Sequence, residues 1–197
     1  AILALGMMLA VPSPRHSHAQ VTGFRRGDLF HDRRFWTLFA GMLAGTLPFL
    51  LVMGNAKPLA EDFGLGASLA AVAITVLALG NACGRICWGL AVDRFGTRCA
   101  MLSAQAVMIA CMVVLIALGR LAPVAFFAAI FGVGLCYGSN FAIYPAAVTR
   151  LYGVHVLGSV YPLIMAAQAI SSFSAAVNGF LKDTAGSNMP GLVFAAS

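Results

Sequence analysis

The chain has 197 residues, of which 61% are hydrophobic and 9% charged, and its mean hydropathy is +0.92. A soluble domain averages about 45–50% apolar and about 25% charged residues, so a soluble enzyme, a disordered chain and a coiled coil are excluded and an integral membrane protein remains. The net charge of +6 comes from basic residues set between apolar blocks, where they orient helices on a bilayer rather than bind nucleic acid.

Residues 1–11 are apolar but lack a basic segment ahead of them. Ser17-His18-Ala19 loosely fits a signal-peptidase site, yet the charge order is wrong for a signal peptide. Residues 1–12 therefore read as the end of a truncated transmembrane helix. Residues 13–34 hold Arg15, His16, His18, Arg25, Arg26, Asp28, His31, Asp32, Arg33 and Arg34. They read as a solvated basic cytoplasmic loop, with a domain linker or a lipid-binding segment as alternatives.

Five complete apolar blocks follow, at about 35–53, 68–92, 99–119, 124–144 and 157–181. At about 1.5 Å rise per residue each can cross about 30 Å of hydrocarbon. Long apolar runs without alternation indicate helices, because hydrocarbon offers no partner to open backbone groups. Residues 191–197 look like another spanning helix cut short. The expected fold is an all-α integral membrane bundle, with five complete transmembrane helices and two truncated ones.

Alternating sides places Arg15, Arg25, Arg26, Arg33, Arg34, Arg94, Arg98 and Arg150 on one face, and Lys57, Arg120 and Lys182 on the other. The richer face is the cytoplasmic one.

Arg85 is the one clearly charged side chain inside the blocks, and they contain no Asp or Glu. A mid-membrane charge costs about 2.5–3.5 kcal/mol on insertion scales, so something must offset it. A backbone carbonyl, water, a carboxylate from other sequence or an anionic ligand each qualifies. The ligand is the most informative, because a planar guanidinium grips a carboxylate with two parallel hydrogen bonds. The alternative is a snorkelling arginine reaching toward Asp93 and the cytoplasmic end.

Other polar residues recur on shared helical faces. Asn81 and Arg85 are i,i+4; Tyr137, Asn140 and Tyr144 are i,i+3,i+7; Tyr161, Gln168 and Ser172 are i,i+7,i+11. They line an aqueous route or make interhelical hydrogen bonds. Gly41 with Gly45, Gly80 with Gly84, and Gly132, Gly134 and Gly138 are small-residue spacings that allow close helix approach. Pro48, Pro145 and Pro162 can kink or end helices.

Cys83, Cys87, Cys99, Cys111 and Cys136 form no paired framework and read as small packing residues. His16-x-His18 is too isolated for a metal site. No nucleophile–base pair or phosphate-cradling loop is evident. No cofactor and no metal are expected, and a membrane-embedded enzyme is disfavoured.

The stretch Gly89-Leu90-Ala91-Val92-Asp93-Arg94-Phe95-Gly96-Thr97-Arg98 resembles the G-x-x-x-D-R-x-G-x-R/K loop of the major facilitator superfamily. In that family it joins the second and third helices of each six-helix half on the cytoplasmic side. The resemblance implies a cytoplasmic gate at Gly89, Asp93, Arg94, Gly96 and Arg98. It implies that residues 13–34 are the central loop, and that residues 35–197 are the C-terminal bundle, helices seven to eleven and the start of twelve.

A narrower resemblance rests on Gly54-Asn55-Ala56-Lys57-Pro58, Asn81-x-x-Gly84-Arg85, Gly138-Ser139-Asn140-Phe141-Ala142-x-x-Pro145 and Phe180-Leu181-Lys182-Asp183-x-x-Gly186-Ser187. These are similar to the oxalate/formate antiporter branch, itself related to monocarboxylate transporters. In that branch a helix-eight arginine, matched by Arg85, binds a substrate carboxylate. The helix-eleven lysine that binds the second carboxylate of oxalate is matched by Gln168. A single fixed cation suits one carboxylate better than two.

The expected function is therefore alternating-access transport of small organic anions, by antiport. The expected substrate-binding set is Arg85, Asn81, Tyr137, Asn140, Tyr161 and Gln168. A proton-coupled monocarboxylate symporter is the alternative within transport, and a non-transporting receptor or assembly partner the alternative outside it. The implied partners are a small carboxylate substrate, the lipid bilayer and a missing N-terminal half of the same chain, with no nucleic acid. By analogy the location is a plasma membrane or a bacterial inner membrane.

Overall fold

The computed structural model of the chain describes residues 29–119 and 121–173. In order its elements are α1 (Arg33–Asp62), α2 (Ala67–Phe95), α3 (Thr97–Leu118), α4 (Pro123–Gly138), α5 (Asn140–Tyr152), a 3-10 turn (Val154–Val156) and α6 (Leu157–Ser171). Among the described residues there are five spans long and apolar enough to cross a membrane, because α4 and α5 run on as Pro123–Tyr152. The chain is an all-α, multi-pass integral membrane protein. The expectations for a truncated first helix, most of the basic loop, the last part of the fifth block and a further helix lie outside the described residues.

Local chemistry sets the boundaries. Asp32 caps α1: its Oδ1 accepts the Arg34 N–H at 2.9 Å, satisfying one of the open donors of the first turn. The other end closes in a Schellman arrangement. Gly64 takes φ +80, its N–H donates to Glu61 O, and the Leu65 N–H donates to Ala60 O at 2.9 Å. Pro123 starts α4, where its missing N–H leaves nothing unsatisfied. Gly96 both ends α2 and precedes α3 with φ +83 and ψ 162, a backbone conformation open to glycine almost alone.

Two spans run farther than the apolar blocks predict. The first continues past residue 53 to Asp62, because Ala56, Leu59 and Ala60 keep its buried stripe going through Lys57-Pro58. The fourth passes residue 144 and reaches Tyr152, with Ala147, Val148 and Tyr152 buried. It carries one irregularity at Ser139, whose N–H donates to Cys136 O at 3.1 Å, an i→i−3 bond. Pro145 then offers no N–H to its i−4 acceptor, the Phe141 carbonyl.

Helices in lipid gain little from hiding apolar surface, so contact quality decides their packing. The crossing of α2 with α4 shows this most clearly. A Cβ on Gly80 would overlap the Phe131 carbonyl, one on Gly84 the Leu135 carbonyl, and one on Gly134 the Leu77 carbonyl. A Cβ on Gly138 would stand 2.5 Å from the Asn81 carbonyl oxygen and 2.9 Å from the Arg85 backbone nitrogen. The glycines on both helices thus let the two backbones touch. The Trp88 indole N–H then donates to Leu135 O at 3.1 Å.

Two apolar clusters fill the bundle. One holds Phe35, Met42, Trp88, Ala104, Ile143 and Ile164; the other holds Phe49, Leu77, Met108, Met112, Ile130 and Cys136. Between them, on α1, α3, α5 and α2, fall the polar residues Thr46, Gln105, Asn140, Asn81 and Arg85. A polar layer therefore crosses the bundle at mid-height. In it Asn140 Nδ2 donates to Thr46 Oγ1 at 3.0 Å and Gln105 Nε2 donates to Gly41 O at 2.8 Å.

One end of the bundle gathers the start of α1, the α2–α3 turn and the end of α5. The Tyr152 hydroxyl donates to Asp32 Oδ2 at 2.8 Å, and an Arg150 guanidinium nitrogen lies beside Gly96, 3.5 Å from where a Cβ would stand. Arg33, Arg34, Arg94, Arg98 and Arg150 thus share one end, as the charge bias predicts.

Candidate functional site

Arg85 lies on α2, about 15 Å from the end of that helix at Phe95. Its backbone is pressed against Gly138, and its side chain is exposed on the bundle surface. The guanidinium carbon sits 4.3 Å from the centre of the Phe141 ring. Phe141 in turn lies about 16 Å from the end of α5 at Tyr152. The head group therefore stays at the level of the polar layer and does not reach toward the basic end.

An aromatic wall continues from Phe141. Its ring meets Tyr137 edge-on, with centroids 5.5 Å apart and planes at 84°. Tyr137 stacks face to face on Phe49 of α1, with centroids 3.6 Å apart and planes 2° from parallel. Tyr161 of α6 is half-buried, and its hydroxyl donates to the Asn140 backbone carbonyl at 3.5 Å. Arg85 of α2, Phe141 of α5, Tyr137 of α4 and Phe49 of α1 thus form one continuous run of contacts.

The chemistry of this arrangement follows from guanidinium geometry. A cation over an aromatic ring is attracted by the negative quadrupole of the ring face, which accepts no hydrogen bond in the plane of the guanidinium. The N–H donors point outward in the plane of the guanidinium and are matched to a carboxylate. Among the described residues the Arg85 head group rests on a ring rather than on a carboxylate.

The other expected site residues fall in different settings. Asn81 is half-buried one turn from Arg85, and its Oδ1 is enclosed without a hydrogen bond among the described residues. Gln168 lies on α6 about 10 Å beyond the Tyr161 level; its Nε2 is likewise enclosed without a partner among the described residues. Asn140 is only 2% exposed and turns inward to Thr46. Tyr144 is buried in the core beside it. The Tyr137–Asn140–Tyr144 stripe therefore divides, with Tyr137 at the cation and the other two inside the bundle.

At the basic end, Asp93 and Arg94 are exposed, and the Arg94 guanidinium lies 5.8 Å from the Phe95 ring centre. Gly96 and Arg98 are half-buried at the α2–α3 turn, and Gly89 lies higher on α2.

Sequence reasoning missed Phe49 and Phe141 as the wall, and Thr46 and Gln105 as the polar layer. Phe141 carried no signal of its own among 14 phenylalanines. Gln105 did: an uncharged amide in the middle of an apolar block is a buried hydrogen-bonding residue by default.

Comparison with known proteins places this geometry in context. A family model described as Major Facilitator Superfamily matches residues 1–176. The chain is 24% identical over 178 residues to the oxalate:formate antiporter of Oxalobacter formigenes, covering 87% of this chain and 42% of that protein. It is 29% identical over 140 residues to the uncharacterized MFS-type transporter YhjX of Escherichia coli strain K12, covering 71% and 35% respectively. It is 30% identical over 95 residues to the apicoplast pyruvate carrier 1 of Toxoplasma gondii, covering 47% and 17%. The chain spans less than half the length of these curated relatives.

Proposed function

This chain belongs to the major facilitator superfamily, and on that premise we propose that it is part of a secondary transporter that exchanges small organic anions by alternating access. The observation that carries the reading is Arg85 at mid-height, its guanidinium over the Phe141 ring and its side chain exposed. The favoured cargo carries one carboxylate. Gln168 is neutral, so the described polar layer offers Arg85 as its fixed cation. Transporter sites near the bilayer midplane, between two bundles, suit this geometry. Two relatives named for carboxylate cargo, an oxalate:formate antiporter and a pyruvate carrier, support the class.

Within this reading Arg85 binds the carboxylate and Tyr137, Tyr161 and Asn81 border it. Asn140 acts from behind, through Thr46 and the Tyr161 hydroxyl. Gly89, Asp93, Arg94, Gly96 and Arg98 form a gate at the basic end, where the α2–α3 turn approaches Arg150. The rest of the protein supplies the facing wall.

The test is counterflow in proteoliposomes loaded with formate, acetate or pyruvate, using the full-length protein. Arg85→Ala abolishes exchange, and Arg85→Lys retains a small part of it, because an ammonium keeps charge but not the bidentate fork. Undiminished exchange by Arg85→Ala would sink the proposal. The similarity to a pyruvate carrier also favours a second reading, proton-coupled symport of a monocarboxylate. Substrate-driven alkalinisation outside the vesicles, without internal anion, would select it.

A further inference from the structure

Five cysteines are spread through the apolar blocks, and the fold gives two of them a shared environment. Cys111 of α3 is half-buried and Cys136 of α4 is 3% exposed. Both belong to one apolar cluster where α3 packs on α4. The approach depends on Gly132, one turn before Cys136 on α4. The Cys111 sulfur occupies the space where any Cβ on Gly132 would lie. The cluster also holds Met108, Met112 and Val133. The other three cysteines, Cys83, Cys87 and Cys99, are exposed.

We propose that Cys111 and Cys136 form a redox-modification site, a dithiol across the α3–α4 interface that a two-electron oxidant closes to a disulfide. The Cys111 sulfur packs one helical turn from Cys136, and side-chain rotation bridges two thiols whose Cα atoms stand within disulfide reach, as those of distant cysteines do not. With an azodicarboxamide as oxidant, one thiol adds across the N=N bond: its sulfur bonds one nitrogen and its proton goes to the other. The second sulfur then attacks the first. The S–N bond breaks, the second thiol proton ends on nitrogen, and the substituted hydrazine leaves. Two thiols have lost two electrons, and the azo group has gained them. The bond staples α4 to α3 beside Tyr137, the residue after Cys136, whose ring stacks on Phe49.

The experiment uses the full-length protein in membranes. One sample is treated with diamide and another with mercuric chloride, which bridges neighbouring thiols linearly as S–Hg–S and requires no oxidation. Remaining thiols are then alkylated and the peptides mapped by mass. The expected result is a peptide pair joined through Cys111 and Cys136 in both samples. Dithiothreitol reverses the diamide product, and the Cys111→Ser variant lacks it. Cys83, Cys87 and Cys99 are recovered alkylated. Recovery of both Cys111 and Cys136 as alkylated thiols after both treatments overturns the proposal, as does linkage of Cys136 to a different cysteine. These readouts are covalent and stand apart from whether the protein exchanges carboxylates.

Discussion

The Arg85 guanidinium lies over Phe141 with 4.3 Å between its carbon and the ring centre, so a residue of α5 fixes the pose of a cation carried by α2. A cation–π contact contributes about 0.5–2 kcal/mol, more when desolvated. Phe141→Leu keeps an apolar side chain under the guanidinium but removes the ring face. It is expected to weaken carboxylate affinity by about 2- to 30-fold, while Phe141→Tyr stays near the parent. Half-saturation constants for counterflow, compared at equal protein in the membrane, check this. An unchanged constant in Phe141→Leu would show that the ring does not position the cation.

The Asn140–Thr46 bond joins α5 to α1 inside the polar layer. Both side chains are buried, so removing either partner strands the other at about 1–3 kcal/mol. Asn140→Ala and Thr46→Val are each expected to lower the thermal stability of the detergent-solubilised protein. The double variant is expected to fall short of their sum, because one bond is lost only once. Carboxylate affinity in the folded fraction changes less than stability does, since Asn140 faces the core. An additive double variant would mean that the two residues act separately.

Glycine contacts make a third test. A methyl group on Gly84 meets the Leu135 carbonyl of a neighbouring helix, whereas one on Gly158 meets nothing within 4 Å. Gly84→Ala is expected to cost about 1–3 kcal/mol through forced separation of α2 and α4. That corresponds to a melting temperature about 2–12 °C lower. Gly158→Ala is expected to be neutral. Equal melting temperatures for the two variants would contradict the close crossing.

These cases show what the sequence made legible. The spans were readable because about 20 apolar residues in a row satisfy one physical demand, the thickness of hydrocarbon. Their ends were less so. The stop of α1 at Gly64 has a local signature, a glycine following Phe63, but the polar run through Lys57-Pro58 hid the continuing stripe of Ala56, Leu59 and Ala60. Arg85 was conspicuous because charge is costly in lipid. Its neighbours were not, because Phe141 lies 56 positions away in sequence and aromatic residues in apolar blocks are ordinary. Helical spacing puts Asn81 and Arg85 one turn apart on α2. It misgrouped Tyr137 with Asn140, since the bond slip at Ser139 and the packing of α1 send one outward and the other inward. Pairings such as Cys111 with Cys136 depend on how two helices cross, which no single-helix periodicity contains.

Gln168 offers a test of charge selectivity. Its Nε2 is enclosed without a hydrogen-bond partner among the described residues, so the position already presents a donor that asks for an acceptor. As a glutamine it can donate to a carboxylate but adds no charge. A dianion in this layer would then carry one unneutralised charge in a low-dielectric setting, which is strongly unfavourable. Gln168→Lys supplies a second cation, and its partner is the second carboxylate. The variant is therefore expected to shift preference toward oxalate over formate by at least about tenfold, equivalent to roughly 1.4 kcal/mol. With only a monocarboxylate present the added ammonium is itself uncompensated, so formate exchange should fall as oxalate exchange rises. Competition of unlabelled oxalate and formate against labelled formate measures both at once. Unchanged competition by both anions in a protein with parental melting temperature would place Gln168 away from the path of the anion. A gain for oxalate that disappears when Arg85→Ala is added would place both side chains on the same bound molecule.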